Sequence, residues 1–285
     1  MTNQPSFSTQ ACSSAAHFLE VLSPLAPGWQ EHRYIYRGQP DANLPLLPTA
    51  HRNRPTQTPA EQIDHEQRVM AEFLKCCDTS GLAVPGDGLV ARRYLEDFRA
   101  HVQGGTRWPP KQLHSVLAVA QHSGIPTCLL DWSYRSFVAC YFAGSSALHR
   151  SDAPRHIAVW RLDISDADGW QNLSLVELPG GTSTNMAAQA GLFTVQEVSS
   201  IGDGNWEANL IDDFAGALGR RLNLQKITLP FKEVPRLLAA CKSLGVSGST
   251  LFPGFEGVAR EMRDWEKIRN QNTSLFDYEQ PIGRL

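Results

Sequence analysis

Gln121-His122-Ser123-Gly124-Ile125-Pro126-Thr127-Cys128-Leu129-Leu130-Asp131-Trp132-Ser133 is the stretch on which the reading of this chain turns, with the apolar run Phe137-Val138-Ala139-Cys140-Tyr141-Phe142 directly after it. It gathers Gln, His, Thr, Asp and Trp into one short turn between apolar segments. An ordinary surface loop would be built of Gly, Ser, Lys and Glu. These polar groups are therefore expected to be buried, and buried polar groups cost free energy unless they are partnered. The segment is either a tightly bonded structural turn or the wall of a pocket.

Working outward, Lys111 to His122 reads as a helix with Leu113, Val116, Leu117 and Ala120 on its apolar face, ended by Gly124 and Pro126. Arg135 to Ala147 is a buried helix or a helix running into a strand, which periodicity does not decide. Thr58-Pro59-Ala60-Glu61 has the form of a helix start, with a capping Thr, Pro at the first position and Glu in the first turn. Glu61, Asp64, Glu66 and Arg68 then form a solvated helix face. Helices are also expected over 11–22, around Tyr94-Leu95, over 231–244 and over 254–269. Strands are expected at 32–37, 156–162, 191–195 and 224–229, with a turn at Gly180-Gly181.

Helices come early and strands late, without regular alternation, so the fold class is α+β in a single domain. Residues 1–13 are read as a flexible N-terminus, 14–269 as the domain and 270–285 as a C-terminal tail.

The 285 residues carry 42% hydrophobic and 19% charged side chains and a formal net charge of -3, so a basic surface for nucleic acid would have to be local. The six cysteines include no CxxC pair, which speaks against a zinc site, and no metal is expected. No secretory leader and no apolar run long enough for a membrane span is present, and the expected location is cytoplasmic. There is no GxGxxG, no P-loop, no GxSxG elbow and no HExxH.

Four constellations stand out as candidates for chemistry. In Tyr34-Ile35-Tyr36-Arg37-Gly38-Gln39, Arg37 at a strand end suits a planar anion, and Gly38 allows close backbone approach; the alternative is an Arg that closes the strand end structurally. In the opening block, His122 is either a general acid–base or a structural histidine. Asp131 either holds His122 or caps the next helix. Trp132 either stacks on a base or fills core. Gln189, ahead of the 191–195 strand, is a third candidate or an edge residue. Leu251-Phe252-Pro253-Gly254 reads as a turn and helix start, with Glu256 near the helix N-terminus.

Taken in order, these pieces resemble the FRG domain family. The elements are Tyr36-Arg37-Gly38-Gln39, Leu46-Leu47-Pro48, the complete block from Gln121 to Ser133, Ala139-Cys140-Tyr141-Phe142-Ala143, Gln189-Ala190-Gly191-Leu192-Phe193 and Leu251-Phe252-Pro253. They run from about residue 14 to residue 262. Cys128 departs from the pattern, since the family usually has a basic residue there. A remoter resemblance is to ADP-ribosyltransferases, and it implies a mixed, split sheet flanked by helices with NAD as substrate. By that resemblance Arg37, Gly38, Gln39, Gln121, Thr127, Trp132 and Tyr141 bind NAD, with Tyr141 stacked on nicotinamide. Arg37, His122, Asp131 and Gln189 would carry catalysis. Gly191 stands where the catalytic Glu of a Gln-x-Glu strand would be; Asp131 is the best substitute carboxylate and Glu197 a poorer one.

The resemblance implies an enzyme that transfers ADP-ribose from NAD to nucleic acid or protein, in phage defence or as a toxin. The alternatives are a non-catalytic nucleotide- or nucleic-acid-binding module on the same fold, and a nuclease using His122 and Asp131.

Overall fold

The computed structural model describes residues 7–52, 58–96, 107–170, 173–177, 184–197 and 222–271. Their elements, in chain order, are β1 (Ser8–Ala11), α1 (Ala15–Val21), β2 (Tyr34–Gln39), α2 (Pro59–Thr79), α3 (Leu89–Glu96), α4 (His114–His122), β3 (Leu129–Ser133) and α5 (Ser136–Leu148). There follow β4 (His156–Asp163), β5 (Leu173–Val176), α6 (Thr184–Gln189), β6 (Gly191–Gln196), β7 (Leu224–Pro230), α7 (Val234–Ser243), α8 (Gly248–Leu251) and α9 (Phe255–Gln271). The class is α+β, with one mixed seven-stranded sheet in the order β1-β7-β4-β2-β3-β6-β5. Only the β1–β7 pair is parallel.

The centre of the sheet is weakly joined. β4 pairs along its length with β2 and β7, and β3 pairs along its length with β6. β2 and β3 meet only at Tyr36 opposite Ser133. The sheet is thus two ladders that part company just beyond this bridge, and Arg37 is the next residue of β2.

Side-chain patterning explains the layers. In β4, Ile157 and Val159 face one side and Ala158, Trp160 and Leu162 the other, all fully buried, as a central strand covered on both faces requires. Phe18, Tyr36, Val138, Leu229, Leu237 and Ile268 fill the core beneath α1, α5, α7 and α9. Met70, Leu95, Leu117, Leu129 and Phe193 form a second core under α2, α3 and α4. Ile35, Leu46, Leu130, Trp132 and Trp160 form a third.

The start of α2 follows the sequence closely. Thr58 accepts from the Glu61 amide, Glu61 accepts from the Thr58 amide, and Pro59 opens the helix. Several expectations are corrected. Residues 8–11, read as part of a flexible terminus, form β1 because their backbone completes the free edge of β7. Leu129 to Ser133, read as part of a turn, is a strand with partners on both sides. Ser136–Leu148 is a helix throughout. Gln189 is the last residue of a short helix, and Leu173–Val176 is an edge strand without forecast. The Gly180-Gly181 turn, residues 1–6 and the tail beyond 271 lie outside the described residues.

Candidate functional site

The parting of β2 and β3 leaves the Asp131 carbonyl without a ladder partner on the β2 side, and Arg37 supplies one. Its Nη1 donates to the Asp131 carbonyl oxygen at 2.8 Å and to Asp131 Oδ2 at 3.2 Å. The Arg37 side chain is 12% exposed and that of Asp131 53%. Arg37 Nε, buried, has no hydrogen-bond partner among the described residues. A buried orphan donor of this kind costs on the order of 1–3 kcal/mol until an acceptor arrives.

The opening block builds the other side of the cluster. Gln121, near the end of α4, donates from Nε2 to Asp131 Oδ1 at 2.6 Å, and its Oε1 accepts from the Thr127 hydroxyl. Thr127 Oγ1 in turn accepts from the Leu129 amide at 3.2 Å. His122 lies on Phe193, the residue paired with Asp131 across β3 and β6, with ring centroids 6.0 Å apart. Desolvation holds His122 below the usual imidazole value, against the opposing pull of Asp131. The ring is thus neutral at pH 7.

A residue absent from the sequence reading completes the site. Arg52 follows the 3₁₀ turn Thr49–His51, and its Nε donates to the Leu47 carbonyl at 3.0 Å. Desolvation first, then repulsion from Arg37, lowers its pKa, and attraction to Asp131 opposes them. Arg37 is bonded to the Asp131 carboxylate, and the Arg52 guanidinium lies within electrostatic reach of both. No group of three or more His, Cys, Asp or Glu side chains suited to a metal ion occurs among the described residues.

Other candidates lie elsewhere. Gln39 accepts from Trp160 Nε1 at 2.6 Å and donates to the Pro45 carbonyl at 2.9 Å, so both ends of its amide are used in the core. A Cβ on Gly38 would stand 2.1 Å from the Ala139 carbonyl oxygen, so the glycine admits helix α5 rather than a ligand. Trp132 is buried and donates to Thr194 Oγ1 at 2.9 Å. Tyr141, in the run left open between helix and strand, is on α5, 4% exposed, and donates to Asp264 Oδ2 at 2.9 Å. Ser145, one turn further along α5, and His149, just past its end, reach the other oxygen of Asp264 and pin α9 down. Gln189 donates to the Leu251 carbonyl at 3.1 Å, tying α6 to α8. A Cβ on Gly191 would meet only ordinary contacts, the nearest 3.7 Å away, so packing does not demand glycine there.

The block itself is less enclosed than expected. Thr127 and Trp132 are buried, Gln121 is half-buried, and His122, Pro126 and Asp131 are exposed. The face expected to be solvated is also corrected at one position. Glu66 is 3% exposed and accepts from His51 Nε2 at 3.0 Å and Trp108 Nε1 at 2.7 Å. Cys128 lies against the same carboxylate, and burial, then the Glu66 charge, push its thiol well up. A basic side chain at position 128 would meet Glu66 directly.

The arginine of β2 and the Gln121–Ser133 block thus meet at one seam of the sheet, and both lie within a single stretch of family likeness. Residues 32–152 match the FRG domain. This FRG segment runs from the approach to β2 through α5 and contains Arg37, Arg52, Gln121, His122, Thr127 and Asp131. Gln189 and Leu251 fall beyond it. No curated protein and no solved structure matches the chain. No helix of the described residues is long and apolar enough to cross a membrane.

Proposed function

We propose that the protein binds a phosphate-bearing nucleotide, free or within nucleic acid, at the Arg37–Arg52–Asp131 seam of the FRG domain. The observation that carries this reading is the charge balance of the seam: two guanidinium groups, one carboxylate, and a buried Nε–H with no acceptor. A guanidinium fork matches the oxygens of a phosphate, and a desolvated one gains most from an incoming anion. Gln121 and Thr127 hold Asp131 in place, so the ligand meets an ordered site. His122 offers a neutral ring beside the same strands for a base or ribose.

Calorimetric titration with NAD, ADP and a short single-stranded oligonucleotide tests the reading. At least one should bind, with affinity falling as salt rises. Arg37→Lys and Arg52→Ala should each weaken it by about tenfold, the cost of one charge-assisted contact. Silence toward all three ligands, or binding that ignores both substitutions, would refute it.

Transfer of ADP-ribose from NAD is a second reading, favoured by the exposed Asp131 carboxylate beside Arg37. Tyr141, the ring that the resemblance assigns to nicotinamide, is buried on α5 and bonded to Asp264. Release of nicotinamide from NAD, abolished by Asp131→Asn, would raise it above simple binding. Cleavage of nucleic acid by His122 and Asp131 is checked in the same samples by gel.

A further inference from the structure

The seam rests on a buried carboxylate in a different layer. Glu66, in the middle of α2, accepts from His51 at 3.0 Å, from Gln62 at 2.5 Å and from Trp108 at 2.7 Å. A carboxylate has about four lone-pair positions, and three of those of Glu66 are taken by donors within the fold. Because an ionised carboxylate only accepts, His51 Nε2 carries the hydrogen of this contact. Burial pushes Glu66 up, but the donors outweigh it and hold the group below its usual value. Glu66 is therefore charged at neutral pH and bonded within the fold, a scaffold rather than an acid or base.

What it supports is the segment that carries Arg52. His51 immediately precedes Arg52 and ends the 3₁₀ turn. The same turn is tied to the opening block: the Ala50 amide donates to the Thr127 carbonyl at 3.1 Å, and the Thr127 amide donates to Thr49 Oγ1 at 3.2 Å. Two loop segments far apart in sequence are thereby fastened to each other, and His51 fastens them to one buried anion, with Arg52 next in the chain. Such a fastening opposes the repulsion between Arg52 and Arg37.

We infer that Glu66, acting through His51, is a positioning residue that holds Arg52 beside Arg37 for the bound anion. The inference rests on the nucleotide-binding reading of the seam. Its test is a double-mutant cycle on NAD affinity together with the NMR signal of the Arg52 Nε–H, which the Leu47 carbonyl accepts.

Glu66→Gln keeps the shape of the side chain and removes its charge. It should weaken NAD binding by on the order of tenfold, as misplacing a binding group does, and shift the Arg52 Nε–H signal toward that of a solvated arginine. In an Arg52→Ala background the same substitution should change affinity by less than about threefold, because the two act as one unit. A full loss in that background, or an unmoved Arg52 signal, overturns the inference. Should Glu66→Gln fail to fold, Thr49→Val, which cuts the tie to Thr127 from an exposed position, carries the same expectations. If the parent protein ignores NAD, the cycle is run on whichever of ADP and the oligonucleotide binds; if it ignores all three, the binding reading fails, and the Arg52 signal alone then decides whether Glu66 positions it.

Discussion

Gly38→Ala is the sharpest test of how the seam is built. The added Cβ would lie 2.1 Å from the Ala139 carbonyl oxygen and 2.6 Å from the Ala143 amide nitrogen, both backbone atoms of α5. Carbon and carbonyl oxygen come no closer than about 3.3 Å in comfortable contacts, so strand and helix must separate by roughly 1.2 Å. α5 has little room to retreat, because Val138, Cys140, Ala143 and Leu148 are packed at 2% exposure or less. Overpacking a dense core costs about 1–3 kcal/mol, and a clash with backbone belongs at or above the top of that range. For a chain of this size about 3 kcal/mol corresponds to a drop of roughly 5 °C in Tm. Thermal unfolding followed by circular dichroism, with urea titration to confirm an unchanged m value, reads it directly. Gly88→Ala is the control: no heavy atom lies within 4 Å of its added Cβ, and its cost should stay below about 1 kcal/mol. If Gly38→Ala unfolds within about 2 °C of the parent at equal m, the close approach of α5 to β2 is wrong, and so is the placement of Arg37.

Asp131→Asn separates binding from catalysis by sign. Losing the carboxylate that competes for Arg37 should tighten anion binding severalfold, about 1 kcal/mol for a unit charge near 4 Å in water, whereas a catalytic Asp131 would lose turnover instead; calorimetry and nicotinamide release read the two. Glu261 supplies a pH dependence. Burial pushes its carboxyl up, but donors from Ser249, Ser247 and Lys242 overcome this and hold it at about 2. An unfolded Glu takes up its proton near pH 4.3, so the unfolded chain binds more protons in between. The stabilisation is complete above the ordinary value and is lost as pH falls toward about 2. Urea midpoints of the parent and of Glu261→Gln should therefore differ at pH 6 and converge toward pH 2; a constant difference would show that Glu261 does not hold α9 through its charge.

Much of the local structure was legible in the sequence because its signals are local. Thr58-Pro59-Ala60-Glu61 carries its own cap, and the alternation of His156 to Leu162 announces a buried strand. The polar block was misread as a turn because Leu129 to Ser133 is a strand only by virtue of partners far away, Tyr36 on one side and Leu192 to Val195 on the other. Tyr141-Phe142-Ala143 reads equally well as helix or strand, and what places it in a helix is the close approach of α5 to Gly38. Gln39 and Trp132 use their polar groups within the core, and Tyr141 and Gln189 each donate to a group elsewhere in the fold, which their residue types alone do not announce.

From the sequence by itself came the α+β class, the FRG elements, and Arg37 and Asp131 as residues to watch. Only the tertiary structure brought Arg52 to Arg37, buried Glu66 beneath both loop segments and opened the seam between β2 and β3. Propensity and periodicity act over a few residues along the chain, whereas charge balance and hydrogen-bond saturation depend on which distant groups share one volume.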